Sequence, residues 1–327
     1  MSGPPVAVAT VRAAVRRSLA ELPAGAQVLV ACSGGADSLA LAAATRFESR
    51  AGRWRAGLIT VDHGLQAGSA DRAADLAAWA KEHGFDPATV ATVRVEAGAG
   101  GPEAAARTAR YEALDKAAAE HGAAAVLLGH TEDDQAETVL LGLARGSGAR
   151  SLAGMPQRRG LYRRPLLGLP RELVRTAALD AGLPVWEDPH NTDPAYARSR
   201  VRATMRALRD TLGDGLAPNL ARTARLLRAD ADALDAIADT ARAGAVDPDG
   251  TLPVVSLTAL PDAVRTRVIR GWLLASGVPA GSLSAVHIDA VDAVVTGWHG
   301  QGPVGLPRDH TVTRRHGRLH LAGRADL

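Results

Sequence analysis

Cysteine occurs once in the 327 residues, as Cys32. One thiol cannot build a disulfide framework, a cysteine-based zinc cluster or a CxxC redox pair. Aromatic residues make up only 3% of the chain, too few for the base-stacking platforms of single-strand-binding proteins. Lysine is confined to Lys81 and Lys116, so arginine carries nearly all of the positive charge. No apolar run approaches the ~18 residues that a membrane span needs. Arg12, Arg16 and Arg17 interrupt the N-terminal stretch where a signal peptide would keep an apolar run. These absences predict a cytoplasmic protein with no membrane partner.

What is present is soluble globular composition, 46% hydrophobic and 22% charged, with mean hydropathy near zero. The length suits about two domains, each large enough for its own core. The net charge of +3 is unevenly spread. Between Arg145 and Arg228 stand 16 arginines and 7 acidic residues, a local charge of +9, which leaves −6 on the remainder. Such asymmetry suits a polyanionic partner, and equally a solvated basic surface.

Apolar runs and helical periods alternate along the first half. Gln27 to Cys32, Gly57 to Val61, Thr89 to Val95 and Ala124 to Leu128 read as strands. Leu39 to Phe47, Ala70 to Glu82, Glu103 to Glu120 and Asp134 to Leu143 read as the helices that follow them, with Val11 to Leu22 as a helix ahead of the series. Near-continuous apolar strands alternating with helices predict an α/β fold with a doubly wound parallel sheet, its ligand cleft at the carboxyl edge of the strands. Gly146 to Gly168 reads as loop, and Arg171 to Ala181 as helix. From about Val201 long helices follow, and Pro303 to Leu321 has short alternating segments. A boundary near Arg206 is expected, with a first domain over 1–205 and a smaller, mainly helical domain over 206–327.

The sharpest local feature is Ser33-Gly34-Gly35-Ala36-Asp37-Ser38, between a strand and a helix. Two glycines let the backbone curl close to a ligand, and the helix that follows presents unpaired N–H groups and a positive dipole end. The serine hydroxyls add donors, so the loop reads as a phosphate cradle. Asp37 would repel phosphate unless a cation bridges them, which implies Mg²⁺. The competing reading is a helix capped by Asp37 or Ser38. The loop is neither a Walker A nor a dinucleotide GxGxxG sequence.

This loop resembles the SGGxDS signature of the PP-loop ATP pyrophosphatases, which adenylate a carbonyl oxygen and release pyrophosphate from ATP. Further stretches narrow the likeness. They are Val61-Asp62-His63-Gly64-Leu65, Ala105-Ala106-Arg107-Thr108-Ala109-Arg110-Tyr111 and Gly129-His130-Thr131-Glu132-Asp133-Asp134-Gln135-Ala136-Glu137-Thr138. With them go Arg145-Gly146-Ser147-Gly148, Arg164-Pro165-Leu166-Leu167, Glu187-Asp188-Pro189-His190-Asn191 and Arg198-Ser199-Arg200-Val201-Arg202. Together, over residues 26–205, they resemble the short form of the tRNA(Ile)-lysidine synthetase family. Gln66, His190 and the Arg198–Arg202 stretch depart from the usual family pattern. The resemblance implies ATP and Mg²⁺ as cofactors, and free L-lysine and a tRNA(Ile) with a CAU anticodon as partners. In that reaction C2 of cytidine 34 is adenylated through its oxygen, and the lysine ε-amine then displaces AMP. A homodimer is left open.

The implied site follows residue by residue. Ser33, Gly34, Gly35, Ala36, Asp37 and Ser38 would bind ATP, with Asp62 and His63 at the neighbouring strand end. Asp134 would hold Mg²⁺ with Asp37 or orient the lysine amine, and it also fits a capping box begun by Thr131. His130 ends the fourth strand beside the acids. Arg107 and Arg110 share a helical face with Tyr111. They would stabilise phosphate charge or form a surface salt-bridge face with Glu103 and Glu112. Arg198, Arg200 and Arg202 alternate, so in an extended segment they would face one side, toward triphosphate or tRNA. Asp37, Asp134, Arg107, His130 and Arg202 are the expected catalytic set, and Arg110, Arg145, Arg164, Arg198 and Arg200 the RNA-binding set. Two other classes stay in view, a different PP-loop adenylating enzyme and a nucleotide-binding module without chemistry. A thiolase would need cysteines that this chain lacks.

Overall fold

The computed structural model describes residues 3–50, 52–64, 68–94, 101–187 and 197–323, and of residues 101–103 and 197–198 only the backbone. The chain divides into two compact units, Met1–Arg228 and Ala229–Leu327.

In the first unit α1 (Val6–Leu19) precedes β1 (Ala26–Ala31), α2 (Ala36–Ser49), β2 (Trp54–Asp62), α3 (Ser69–Glu82) and β3 (Ala88–Thr92). Then come α4 (Gly101–Glu120), β4 (Ala123–Leu128), α5 (Glu132–Ala144), the single turn α6 (Ala149–Leu152) and the short strands β5 (Arg158–Arg159) and β6 (Tyr162–Arg163). Helices α7 (Arg171–Asp180) and α8 (Ala197–Leu212) follow, and α9 (Leu216–Ala245) begins in this unit. The sheet order is β3-β2-β1-β4-β6-β5. Every neighbouring pair is parallel except β5 with β6.

Strand alternation explains the two core layers. Val28 and Val30 of β1 join Leu39, Leu41, Val174 and the apolar face of α1 on one side. Leu29 joins Ile59, Leu114 and Val126 on the other. From β1 the chain moves outward through β2 and β3, then returns to the other side of β1 as β4. That reversal opens a crevice beyond the carboxyl ends of β1 and β4. The doubly wound parallel sheet expected from the sequence is thus observed. The Gly146–Gly168 stretch, expected as loop, contributes α6 and a small hairpin to the sheet edge. Two-residue strands have no period to read.

The second unit contains the rest of α9, then β7 (Leu252–Pro253), α10 (Val254–Thr258), α11 (Asp262–Ala275), α12 (Ala285–Thr296), β8 (Val304–Leu306), β9 (His310–Arg315) and β10 (Arg318–Ala322). Its strands form an antiparallel sheet in the order β7-β10-β9-β8. Trp272, Leu252, Leu257, Ile269, Val291 and Leu319 fill its core, and the indole N–H of Trp272 donates to the Gly250 carbonyl at 2.9 Å. The mainly helical description is therefore incomplete, because the alternating tail forms three of the four strands. No helix among the described residues is long and apolar enough to cross a membrane.

Glycine matters at two sheet positions. A Cβ on Gly57 would lie 2.6 Å from Leu29 Cδ2 and 2.9 Å from the Pro87 carbonyl. A Cβ on Gly129, just past β4, would lie 3.2 Å from backbone atoms of Asp37 and Ser38. Both substitutions to alanine should cost about 1–3 kcal/mol of stability through overpacking. Gly129→Ala should in addition raise the KM for nucleotide, because it displaces the start of α2, whereas Gly57→Ala should leave that KM unchanged. Thermal melts with steady-state kinetics on both variants check this.

Candidate active site

The loop after β1 is stapled by its own serine. Ser38 Oγ accepts the Ser33 N–H at 3.2 Å and donates to the Gly35 carbonyl at 2.9 Å. Gly34 has φ +84°, a conformation that favours glycine. The N-cap of α2 is Gly35, with no side-chain cap, so capping by Asp37 or Ser38 does not occur. A helix start without a side-chain cap is compatible with an anion at its N–H groups. The Trp186 N–H donates to the Gly34 carbonyl at 3.0 Å, and Arg72 stacks over the Trp186 ring at 4.5 Å.

Across the crevice, Thr131 and Asp134 form the capping box that their spacing allows. Asp134 Oδ2 accepts the Thr131 N–H at 2.8 Å and the Thr131 hydroxyl at 3.0 Å. Its Oδ1 faces the crevice and receives Arg171 Nη2 at 2.8 Å, with Arg202 Nη2 at 3.7 Å. Capping and a crevice-facing role thus fall to different oxygens of one carboxylate. Glu137, one turn on, receives Arg171 Nη1 at 3.2 Å and Arg202 Nε at 3.1 Å, both on Oε1. Asp37 Oδ2 lies 3.8 Å from Arg171 Nε. Asp133 accepts the Arg171 backbone N–H at 2.8 Å and pairs with Arg209 at 2.5 Å.

The two crevice aspartates are driven apart in acidity. Burial pushes the Asp37 carboxyl up to about 7, with the charges of Asp134 and Asp133 adding and Arg171 and Arg202 opposing. Burial also raises Asp134, but Arg171, His130 and the Thr131 hydrogen bonds outweigh it and hold that group below its ordinary value. The carboxylates of Asp37 and Asp134 are hard oxygen donors of the kind that Mg²⁺ takes, and the charge of Asp134 adds to the rise at Asp37, a crowding that a cation would relieve. No three acidic, histidine or cysteine side chains among the described residues form a metal cage.

A second cluster gathers around Tyr111. The Arg107 and Arg110 guanidiniums lie 5.2 Å and 5.5 Å from its ring centroid, and Arg164 Nη2 donates to its hydroxyl at 3.4 Å. Burial raises the phenol, but Arg107, Arg164 and Arg110 outweigh it and lower its pKa. Burial lowers the His63 imidazole, and the charge of Arg110 adds to the effect. Asp62 accepts the Gly64 N–H at 3.0 Å, so it closes the turn after β2.

The structure therefore brings Asp37, Asp134, Glu137 and Arg202 together, and places Arg107, Arg110 and Tyr111 in the second cluster. Arg164 is only 5% exposed and donates to Pro156 and Tyr111. It faces protein, not the open surface expected of an RNA contact. Arg145 is exposed just past the far end of α5, roughly 17 Å along the helix from Asp134 at 1.5 Å per residue. The extended reading of Arg198, Arg200 and Arg202 is overturned, because these residues lie in α8. Val201 and Met205 of α8 pack with Ala136 and Ala217 at helical spacing, which fixes the period. Residues two apart on a helix point about 200° apart. Arg202 meets the acids, Arg200 is exposed, and the Arg198 side chain and the stretch 188–196 lie outside the described residues. Sequence reasoning passed over Arg171, whose only signal was its position at the start of a helix after Pro170.

A model of the PP-loop domain matches residues 9–208, and one of the TilS substrate binding domain matches residues 252–320. The chain is 57% identical over 320 residues to the tRNA(Ile)-lysidine synthase of Thermobifida fusca, across 98% of both chains. It is 52% identical over 347 aligned positions to that of Streptomyces coelicolor, across 97% of this chain and 98% of the relative. Among solved structures, the U34-tRNA thiolase NcsA from Methanococcus maripaludis with its [4Fe-4S] cluster superposes with a TM-score of 0.54 at 21% identity. The match covers 68% of this chain and 80% of that one, a likeness of fold. With a family model over more than half its length, and relatives above half identity along nearly all of it, this chain belongs to the tRNA(Ile)-lysidine synthase family of ATP-dependent PP-loop enzymes.

Proposed function

We propose that this chain ligates free L-lysine to C2 of cytidine 34 in a CAU-anticodon tRNA(Ile), in the cytoplasm, with ATP cleaved to AMP and pyrophosphate. The observation that carries the reading is the pairing, across one crevice, of an uncapped helix start at the phosphate loop with the acids of α5. Ser33, Gly34, Gly35 and Ala36 cradle the triphosphate. The C2 oxygen of the base attacks the α-phosphorus and pyrophosphate leaves. The lysine ε-amine then forms the new bond at C2, AMP departs with the oxygen, and the amine gives up a proton. Asp37 and Asp134 would hold Mg²⁺, which when bound offsets charge on the phosphates. Asp134 orients the amine, with His130 beside it. Arg107 and Arg110 face developing phosphate charge, and Asp62 and His63 border the nucleotide. Arg145, Arg198 and Arg200 contact RNA.

The test combines protein, ATP, Mg²⁺, lysine and a CAU-anticodon tRNA(Ile) transcript, followed by mass spectrometry of the nucleosides. The expected product is a cytidine bearing one lysine, dependent on both ATP and lysine. Pyrophosphate release without the adduct would point to another nucleophile, and no release at all would favour a binding module. Asp134→Asn should cut turnover about 100-fold or more while retaining the fold, since an amide oxygen can still accept from Thr131. Near-normal turnover would remove Asp134 from the site.

Arg200 and Arg202 should separate kinetically. Arg200→Ala should raise the KM for tRNA and reduce the salt dependence of binding by about one counterion. Arg202→Ala should chiefly lower kcat through loss of its contact with Glu137.

The raised pKa of Asp37 has a thermodynamic signature. The folded chain holds this proton more tightly than the unfolded chain does. The group therefore favours folding below the ordinary carboxylate value, and that contribution is lost as pH rises through about 7. Asp37→Asn should raise Tm at pH 8 by roughly 3 °C or more, with the gain shrinking steadily as pH falls toward the ordinary carboxylate value, while abolishing turnover. An equal or lower Tm at pH 8 would contradict the assignment.

A further inference from the structure

Arg171 meets each carboxylate that the phosphate loop and α5 turn toward the crevice. Its side chain reaches Asp134 at 2.8 Å, Glu137 at 3.2 Å and Asp37 at 3.8 Å, and its backbone N–H reaches Asp133. Burial works against its charge, but these acids more than restore it. Arg202 shares Glu137 and Asp134. Even so, Glu137 Oε2 is buried with no hydrogen-bond partner among the described residues, on a side chain only 3% exposed. Three carboxylates face two guanidiniums, and one buried oxygen still lacks a donor. An ionised carboxylate has acceptor capacity only, so the missing partner must be a donor, and a cation answers both deficits. The cluster is thus a seat for positive charge that the protein itself partly fills.

We propose that Arg171 is an internal competitor for the amine substrate. Its guanidinium holds the place between Asp134 and Glu137 that an entering primary ammonium takes, and it withdraws when the ammonium binds. The inference rests on the reading of lysine as the amine. A guanidinium and an ammonium carry the same charge, but the planar fork spans two carboxylates at once, so one excludes the other. While Arg171 is seated, Asp134 and Glu137 each have a cationic partner. Occupancy by substrate is reduced by the fraction of time the seat is taken. Arg171 acts through these carboxylates and is a positioning residue. It sets the KM for the amine and disfavours cations that bind less strongly than the guanidinium it replaces.

The test uses the full chain and Arg171→Gln, which keeps length and hydrogen bonding but not charge. Calorimetric titration with L-lysine should show about fivefold or more tighter binding to Arg171→Gln. Guanidinium chloride should displace lysine from that variant at concentrations that leave the unaltered chain unaffected. In turnover, the KM for lysine should fall while the KM for ATP is unchanged. Equal or weaker lysine binding, equal guanidinium binding by both proteins, or a loss of kcat at unchanged lysine KM would each overturn the proposal. Arg171→Lys, with the charge kept on a shorter reach, should give an intermediate lysine affinity, and it serves as the test if Arg171→Gln does not fold. If the unaltered chain forms no lysine adduct while Arg171→Gln alone takes up guanidinium, the substrate assignment fails and the seat stands.

Discussion

Acidic side chains crowded at the carboxyl edge of a sheet must find cations, and here the positions of two helices follow from that need. The first turn of α5 presents Asp133 and Asp134, with Glu137 one turn on. Arg171 brings the start of α7 to them, and Arg202 and Arg209 bring one face of α8. The two α8 arginines are seven residues apart, two helical turns, so a single face reaches both ends of the acid row. Removing one partner of such a network would leave a buried charge uncompensated, a loss of about 3–5 kcal/mol. The network therefore places helices as well as neutralising charge. It ties the arginine-rich second half of the unit to the phosphate loop through Asp37.

The β–α series was readable because each buried strand is a continuous apolar run and each helix carries its own period. The phosphate loop was readable because two adjacent glycines between a strand and a helix have few other uses. Less legible were features that depend on tertiary contact. Arg171 looked like an ordinary first-turn residue, since nothing local marks a side chain that closes a crevice. The Arg198–Arg202 stretch looked extended because the polar residues ahead of it mask a helix whose seam, Val201 and Met205, packs against α5 and the start of α9. Asp134 had two readings, cap and site residue, and in the structure one oxygen caps α5 while the other receives Arg171.

The basic stretch also changes meaning. Much of its charge is consumed within the fold. Arg158 and Arg163 pair with Glu21, Arg175 with Glu187, and Arg228 donates to the carbonyls of Ala153 and Gly154. Others, such as Arg145, Arg159, Arg206 and Arg222, lie exposed on the surface. The lone cysteine here is buried, beside the Ser38 hydroxyl at 3.4 Å.

Gly129 is where these features meet. The backbone at the end of β4 passes so close to the first turn of α2 that a Cβ there would lie 3.2 Å from the backbone of Asp37 and Ser38. Asp37 stands on one side of that contact and His130 on the other. The spacing between the loop after β1 and the acid row of α5 is therefore set by backbone against backbone at this point, and not by the rotamers of side chains packed between them.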